Sequence, residues 1–471
     1  MEAMRNIMSK LAVTSVLHIL FLLPTYAQFP EDALRLSSIG LGTGARSLGL
    51  GMTYTGVAND FSAVYWNPAG LGQIRMSEMS VGLAHQSYGN TSTYLGSQKS
   101  LNNSSTSLNN FGLVYPFPTS RGSLVFAVGY SRANDFTTAL SFDGFNSQSS
   151  IISTLPSDLA YQLYLVDSVG NTPILDSLQQ RGKVLESGGL NNWTFAAGIE
   201  AARQLYLGVS LTVISGSYTY SREFIETDVF DKYSQARFGA NYAFTSLNII
   251  NTINGEISGF TARFGMLYRF DSGARFGLNF KTPSFYNVKE NFSTDGTTLF
   301  DVPDLQGRFS YNDRLDGRTE YDVTSPFVFG AGASVPIGDL MLSGDVEYTD
   351  WTQMKFSNAD PIVEQYNADI KELFRPTANL KGGAEYEFSN VGFRLRGGFA
   401  YMPSPYRGDD QSFAQKYITG GVGFIVGDAV AVDVGYAYGF WNTYHVNYDR
   451  SPRTLESIRT HNLLATLTYR F

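Results

Sequence analysis

The chain contains no cysteine, which excludes disulfide staples, thiolate metal sites, a cysteine nucleophile and lipoprotein anchoring. Histidine is scarce too, with four in 471 residues. His18 falls in the leader described below, and His445 and His461 stand alone, without the spacing of a metal-ligand set. No long basic cluster offsets the formal net charge of -8, so nucleic acid is not an expected partner. Gly42-Thr43-Gly44 brushes against nucleotide-loop patterns, but no Gly-Lys-Ser/Thr and no strand–helix unit follows, which removes that reading. No cofactor is expected. Past Leu23 no apolar run approaches the roughly 20 residues that a membrane helix needs.

What is present points to a different way of crossing a membrane. There are 47 glycines, 29 tyrosines and 34 phenylalanines, and the apolar residues alternate with polar ones instead of clustering. Mean hydropathy is only -0.12. A transmembrane barrel has this balance, because only the lipid-facing half of each strand must be apolar.

Both ends carry signals. Arg5 and Lys10 form a basic region, Leu11 to Leu23 an apolar run, and Thr25-Tyr26-Ala27 a small-residue cleavage site. Residues 1–27 therefore read as a secretory signal peptide, with Gln28 as the mature N-terminus. At the other end, Leu463, Ala465, Leu467, Tyr469 and Phe471 fall on one face of a strand with period two. A last strand closed by Phe471, with Tyr469 two residues earlier, resembles the assembly signal of bacterial outer-membrane barrels. The barrel assembly machinery and outer-membrane lipid are the partners this implies. The bland alternative is an ordinary last strand of a soluble β protein.

About fourteen strands are expected from alternating or aromatic-rich sequence. They lie near 76–88, 109–116, 122–131, 191–201, 204–222, 257–270, 273–294, 318–335, 339–350, 376–388, 390–401, 415–426, 429–440 and 461–471. Tight connections at Pro118-Thr119-Ser120-Arg121, Asp271-Ser272, Pro336-Ile337-Gly338, Ser389-Asn390 and Gly427-Asp428 alternate with longer polar ones, the longest spanning 132–190. Outer-membrane barrels keep short periplasmic turns and long external loops. The expected fold is all-β, a transmembrane antiparallel barrel (residues 76–471), multi-pass and monomeric, in the cell outer membrane of a diderm bacterium. Two loop stretches show helical spacing: Leu159, Leu163 and Val166, then Ile362, Tyr366, Ile370 and Leu373. Each reads as a short helix packed on a neighbouring loop or as an apolar external groove.

Residues 28–75 precede the first strand and do not read as paired strands. They hold Gly40, Gly42, Gly44, Gly49, Gly51 and Gly56, then Asn67-Pro68-Ala69-Gly70-Leu71. Glycine permits close backbone approach and Asn-Pro favours a turn. Irregular backbone at membrane depth is tolerated only inside protein or beside a water-filled cavity, so an N-terminal hatch in the lumen is expected; a free periplasmic tail is the alternative.

Gly49-Leu50-Gly51, Tyr54-Thr55-Gly56 and Asn67-Pro68-Ala69-Gly70-Leu71 resemble the hatch of the FadL/OmpP1/TodX outer-membrane transporters of long-chain fatty acids and aromatic hydrocarbons. Gly277-Leu278-Asn279-Phe280-Lys281-Thr282-Pro283 is similar to that family's mid-barrel strand, and Asp345 to Gln353, with Trp351, to the strand end that follows. The resemblance implies a fourteen-stranded barrel plugged by its hatch. A hydrophobic small molecule would land among external loops and move to an internal pocket. Hatch movement would then release it sideways through a kinked wall, without an energy source. Asn67, Pro68, Ala69 and Gly70 are the candidate passage-control residues. Leu124 to Ser131, followed by Arg132-Ala133-Asn134-Asp135, is a candidate for the kink. Fatty acid, alkane, aromatic and terpenoid cargo all remain open.

Two alternatives stand. His85-Gln86-Ser87 resembles the His-x-Ser pair of outer-membrane phospholipase, though no orienting third group or oxyanion motif accompanies it. Gly44 to Gly51 with Tyr65-Trp66-Asn67-Pro68 also resembles barrels of the same superfamily that bind protein cargo for secretion systems. The transporter reading expects no catalysis and no metal.

Overall fold

The computed structural model describes residues 30–233, 243–427 and 429–471. The signal peptide reading, His18, Gln28 and Asp428 lie outside the described residues.

Among the described residues eighteen strands form one antiparallel sheet: β1 (Glu78–Tyr94), β2 (Ser97–Phe117), β3 (Leu124–Asp135), β4 (Thr138–Asn146), β5 (Leu178–Ala202), β6 (Leu205–Thr227), β7 (Phe244–Arg269), β8 (Arg275–Lys281), β9 (Phe285–Phe300), β10 (Ser310–Thr324), β11 (Val328–Ile337), β12 (Leu340–Asp350), β13 (Lys355–Ser357), β14 (Pro376–Phe388), β15 (Phe393–Met402), β16 (Gln415–Val426), β17 (Val430–Val446) and β18 (Arg453–Arg470). β3 and β4 both pair with β5, and β8 and β9 both pair with β7. β10 and β11, and β12 and β13, likewise follow one another along a single wall position. The wall therefore has fourteen positions, and it closes where β18 pairs with β1 from Arg470–Glu78 up to Leu455–Thr93. The expected fourteen-stranded barrel is the observed fold.

Alternation along the strands explains the closure. On β18, Leu463, Leu467 and Tyr469 point outward while Leu464, Thr466 and Thr468 are buried inside. Apolar side chains facing out and polar ones facing in suit a wall with lipid on one side only. Among the described residues no helix is long and apolar enough to cross a membrane.

The strands run further than their sequence pattern indicates. β1 and β2 were expected to stop near 88 and begin near 109, yet they continue as a hairpin to Leu95-Gly96, both at positive φ. The 132–190 connection likewise contains β4 and the start of β5. The β1–β2 extension is rich in Ser, Thr and Asn, so it carries little of the apolar alternation that marks a membrane strand, whereas β4 and the start of β5 bury Leu140, Phe142, Leu178 and Val184 against Tyr94 and Phe224.

The helical loop readings hold in part: the first helix stops at Gln162, before Leu163 and Val166, and the second is rotated. α4 (Ser157–Gln162) buries Leu159, and Leu163 is buried just past its end. α5 (Pro361–Leu373) is capped by Asp360, whose carboxylate accepts from Ile362 N at 3.0 Å. It buries Val363 and Ile370, and Leu373 is exposed, so its inner face is turned by about one residue from the expected set.

Candidate functional site

Before β1 the chain forms α1 (Pro30–Ser37), α2 (Ala45–Gly49), α3 (Ala63–Trp66) and a 3₁₀ helix at Pro68–Gln73. None of these pairs as a strand. The segment packs against the inward faces of wall strands, and its Leu48, Leu50, Met52, Tyr54 and Leu71 are fully buried.

Asn67 begins the 3₁₀ helix, its Oδ1 accepting from Ala69 N at 3.2 Å. Pro68 takes the first helical position, where a missing N–H costs nothing. The Asn67 Nδ2 donates to Thr55 O at 2.8 Å within the segment and to Met266 O at 3.1 Å on β7. One side chain thus ties the turn to itself and to the wall. Pro68, Ala69 and Gly70 are buried beside it. Gly70 packs inside the segment, since a Cβ there would lie 2.1 Å from Ala58 O.

The wall is shaped to receive this turn. A Cβ on Gly265 would lie 2.0 Å from Asn67 Oδ1, and one on Gly208 would lie 2.2 Å from the Pro68 carbonyl carbon. A Cβ on Gly277 would lie 2.2 Å from Thr55 O. Gly198, Gly208 and Gly265 are direct cross-strand partners on β5, β6 and β7, so the bare backbone forms a continuous trough. Across the lumen Gly383 on β14 and Gly435 on β17 receive Leu50 O and Ala45 O in the same way. Sequence reasoning counted these glycines but missed the trough. Only strand pairing shows that they stand at one height.

Polar contacts hold the rest of the segment. The Asp345 Oδ2 on β12 accepts from Tyr54 N at 2.9 Å and Thr55 N at 2.8 Å. Arg46 grips Glu385 on β14 with two hydrogen bonds, at 2.9 and 2.7 Å. Arg396 donates to the same carboxylate at 2.6 Å and to Asp433 at 2.6 Å. Paired, bidentate contacts of this kind are the geometry in which buried charge is tolerated.

A cavity of about 320 Å³ lies between this segment and the wall. Ile39 and Leu41 form one side, with Tyr88, Phe136, Met402, Tyr417 and Trp441 among the residues opposite. Arg132, Asn134 and Asp135 border it, and here the β3–β5 ladder slips. Ser131 pairs with Asn192 but Asn134 with Leu190, which leaves one extra residue on β3. That is a β-bulge, which bends the strand and interrupts its pairing. Asn134 Oδ1 also accepts from Gly40 N at 2.9 Å, so the bulge touches the N-terminal segment. The Leu124–Asp135 stretch singled out in the sequence carries this irregularity.

The remaining candidates separate from the site. Tyr469 and Phe471 stack at 5.8 Å on the outer face, and the Phe471 backbone exchanges hydrogen bonds with Ser77 at 2.9 and 3.1 Å. His85 is exposed on the outer face of β1, and its Nδ1 pairs with Thr106 Oγ1 at 2.8 Å. A threonine there supplies no carboxylate to orient the ring for catalysis.

Over residues 43–469 the sequence matches the family described as outer membrane protein transport protein (OMPP1/FadL/TodX). Among solved structures the chain is similar to a Pseudomonas aeruginosa FadL homologue, with TM-score 0.57, 13% identity, and coverage of 91% of this chain and 98% of that one. It is also similar to the Pseudomonas putida toluene transporter TodX, with TM-score 0.56, 13% identity and coverage of 91% and 99%. For the Ralstonia pickettii toluene transporter TbuX the figures are 0.50, 16%, 91% and 98%. At these identities the likeness is one of fold. No curated protein matches the sequence.

Proposed function

Because the chain belongs to the outer-membrane transport protein family (OMPP1/FadL/TodX), we propose that it takes up hydrophobic small molecules passively through a hatch-plugged barrel and releases them sideways into the membrane. Residues 1–27 act as the signal peptide, 28–75 as the hatch and 76–471 as the barrel. The observation that carries this reading is the cavity beside the β3 bulge, bounded on its other side by the N-terminal segment.

Cargo lands among the external loops, where Ile152, Leu155, Ala160 and Val166 border a second cavity of about 420 Å³. It then moves to the cavity above the hatch. Shifting the segment joins that cavity to the interrupted β3–β5 ladder, and cargo leaves into the lipid. Such a route keeps apolar area out of bulk water, which would otherwise cost about 25 cal/mol per Å². A concentration gradient is the driving force, and no catalytic step is involved. The protein-cargo alternative gives the interior cavity no role. Tyr469 and Phe471 serve assembly, being read by the barrel assembly machinery, and the protein works as a monomer among outer-membrane lipids.

Asn67 controls passage by keeping the hatch turn on β7 in the one position from which the segment shifts as a unit. Substituting Asn67→Ala removes both Nδ2 bonds and leaves Thr55 O and Met266 O without that donor, a loss of about 1–3 kcal/mol at a buried site. Uptake of a labelled hydrophobe is expected to slow severalfold while the barrel keeps its heat-resistant migration in detergent gels. Loss of that migration would make the motif structural, contrary to this role.

A further inference from the structure

The outer face of the barrel changes chemistry at one height. On β18 the outward side chains run from Tyr469 through Leu467, Ala465 and Leu463, then turn polar at His461 and Arg459. On β1 they run from Met79 through Val81 and Leu83 to His85 and Ser87. Pairing sets the two switches side by side, with His85 opposite Leu463 and Ser87 opposite His461. The ten steps from Phe471 to His461 rise about 25 Å, at about 3.3 Å per residue and a strand tilt of about 40°. That is the height of the apolar band of an outer-membrane barrel. His461, His85 and Arg459 therefore stand at its external edge, beside Tyr436 and Tyr438 of β17, where an aromatic belt meets the lipid head groups.

Charge on this face is of one sign. The outward positions of β16, β17, β18, β1 and β2 carry Lys416, Arg453, Arg459, His461 and His85, and no aspartate or glutamate. This contrasts with a chain whose formal net charge is -8. Arg453 lies over the Tyr444 ring at 4.2 Å, and Lys416 Nζ donates to Gln411 O at 3.3 Å. Arg459 is exposed, and among the described residues no carboxylate pairs with it. Elsewhere on the wall exposed cations do have acidic partners: Lys289 meets Glu320 at 3.4 Å, and Arg314 meets Asp295 at 3.1 Å.

Both imidazoles are oriented. His461 Nδ1 pairs with Tyr436 Oη at 2.7 Å, and His85 Nδ1 with Thr106 Oγ1 at 2.8 Å. With the hydroxyls donating, each ring carries its proton on Nε2, which has no protein partner among the described residues. His85 lies diagonal to His461 across the β1–β18 ladder, about 7–8 Å away. Arg459 is the next residue up on the His461 face, about 7 Å further on. Three N–H donors spaced in this way can converge on one phosphate, which the planar fork of arginine suits. We infer that Arg459, His461 and His85, with the Ser87 hydroxyl, form a site for a phosphate on the head group of an outer-leaflet membrane lipid. Its acyl chains continue down the apolar face over Leu463, Leu83 and Leu467, which a free phosphate could not use. The inference rests on the barrel's place in the outer membrane and is independent of what the barrel carries.

The test is native mass spectrometry of the purified barrel in an uncharged detergent at pH 7. The probes are diphosphorylated lipid A, the same lipid after removal of both phosphates, and inorganic phosphate. Wild type is expected to bind the phosphorylated lipid at least about tenfold more tightly than the dephosphorylated one, the scale of a hydrogen bond to a charged group. Arg459→Gln should remove most of that preference and leave the dephosphorylated lipid unchanged. The His85→Gln/His461→Gln double variant, which keeps Arg459, should weaken the phosphorylated lipid a few-fold and covers the case in which Arg459→Gln fails to fold. Lys289→Gln removes the same charge from another face of the wall and should leave the preference intact. Equal affinity of wild type for the two lipids overturns the site. An equal loss in Lys289→Gln and Arg459→Gln overturns it as well, since the attraction would then belong to the whole surface. Inorganic phosphate bound as tightly as the phosphorylated lipid would make this a site for a free anion, contrary to the inference. Uptake enters none of these readouts, so failure here leaves the uptake reading intact.

Discussion

Oxidising a Thr53→Cys/Ser343→Cys double variant is expected to slow uptake by at least about tenfold, equivalent to about 1.4 kcal/mol, and a reductant to restore it. The native chain has no cysteine, so the introduced pair has no competitor. The Thr53 and Ser343 hydroxyls are in hydrogen-bond contact, one on the N-terminal segment and one on β12. Side chains that meet at Oγ are placed for a sulfur–sulfur bond, which requires Cβ atoms roughly 3.5–4.5 Å apart. The cross-link leaves the wall untouched and removes only the freedom of the segment to leave it. Unchanged uptake after complete cross-linking would mean that cargo passes without hatch movement.

The second large effect is expected at Gly208. A Cβ there would lie 2.2 Å from the Pro68 carbonyl carbon and 2.3 Å from its oxygen. Both are backbone atoms packed inside the barrel, so they cannot rotate aside as a flexible side chain would. Gly208→Val therefore overpacks the trough by more than the roughly 1–3 kcal/mol of an ordinary core insertion. The wall strand accepts valine readily, so the N-terminal segment is the part that yields. Planar-bilayer recordings should then show steady ion conductance from the variant and little or none from wild type, with heat-resistant migration retained. Gly344→Ala is the control, since its new Cβ would meet only Lys381 O, at 3.7 Å. A silent Gly208→Val barrel with normal uptake would show that the trough is not a seat.

The sequence disclosed the wall better than the contents. Fourteen strand positions were legible because lipid forces alternation on every membrane-crossing stretch, as in Leu463, Leu467 and Tyr469 of β18. The hairpin extension from Gly89 to Leu108 was not legible, because polar residues suit both of its faces. Asn67 and Pro68 stood out as a turn, but Gly198, Gly208 and Gly265 did not stand out as their trough. Glycine leaves no side-chain pattern, and these three come together only through the β5–β6–β7 register. The family resemblance alone offered Leu124 to Asp135 as a place for a kink, and the count of paired residues on β5 puts one extra residue between Ser131 and Asn134.

The measurement that bears most directly on passage beside β3 is uptake of a radiolabelled long-chain fatty acid by cells carrying this barrel in place of their own transporter. A parallel strain carries the barrel with Ala133 deleted, which returns β3 and β5 to one-to-one register. The account predicts uptake faster than an empty-barrel control for the native chain and control-level uptake for the deletion, with both proteins folded and surface-exposed. Native-level uptake by a folded deletion variant, or no uptake by the native chain, would contradict it.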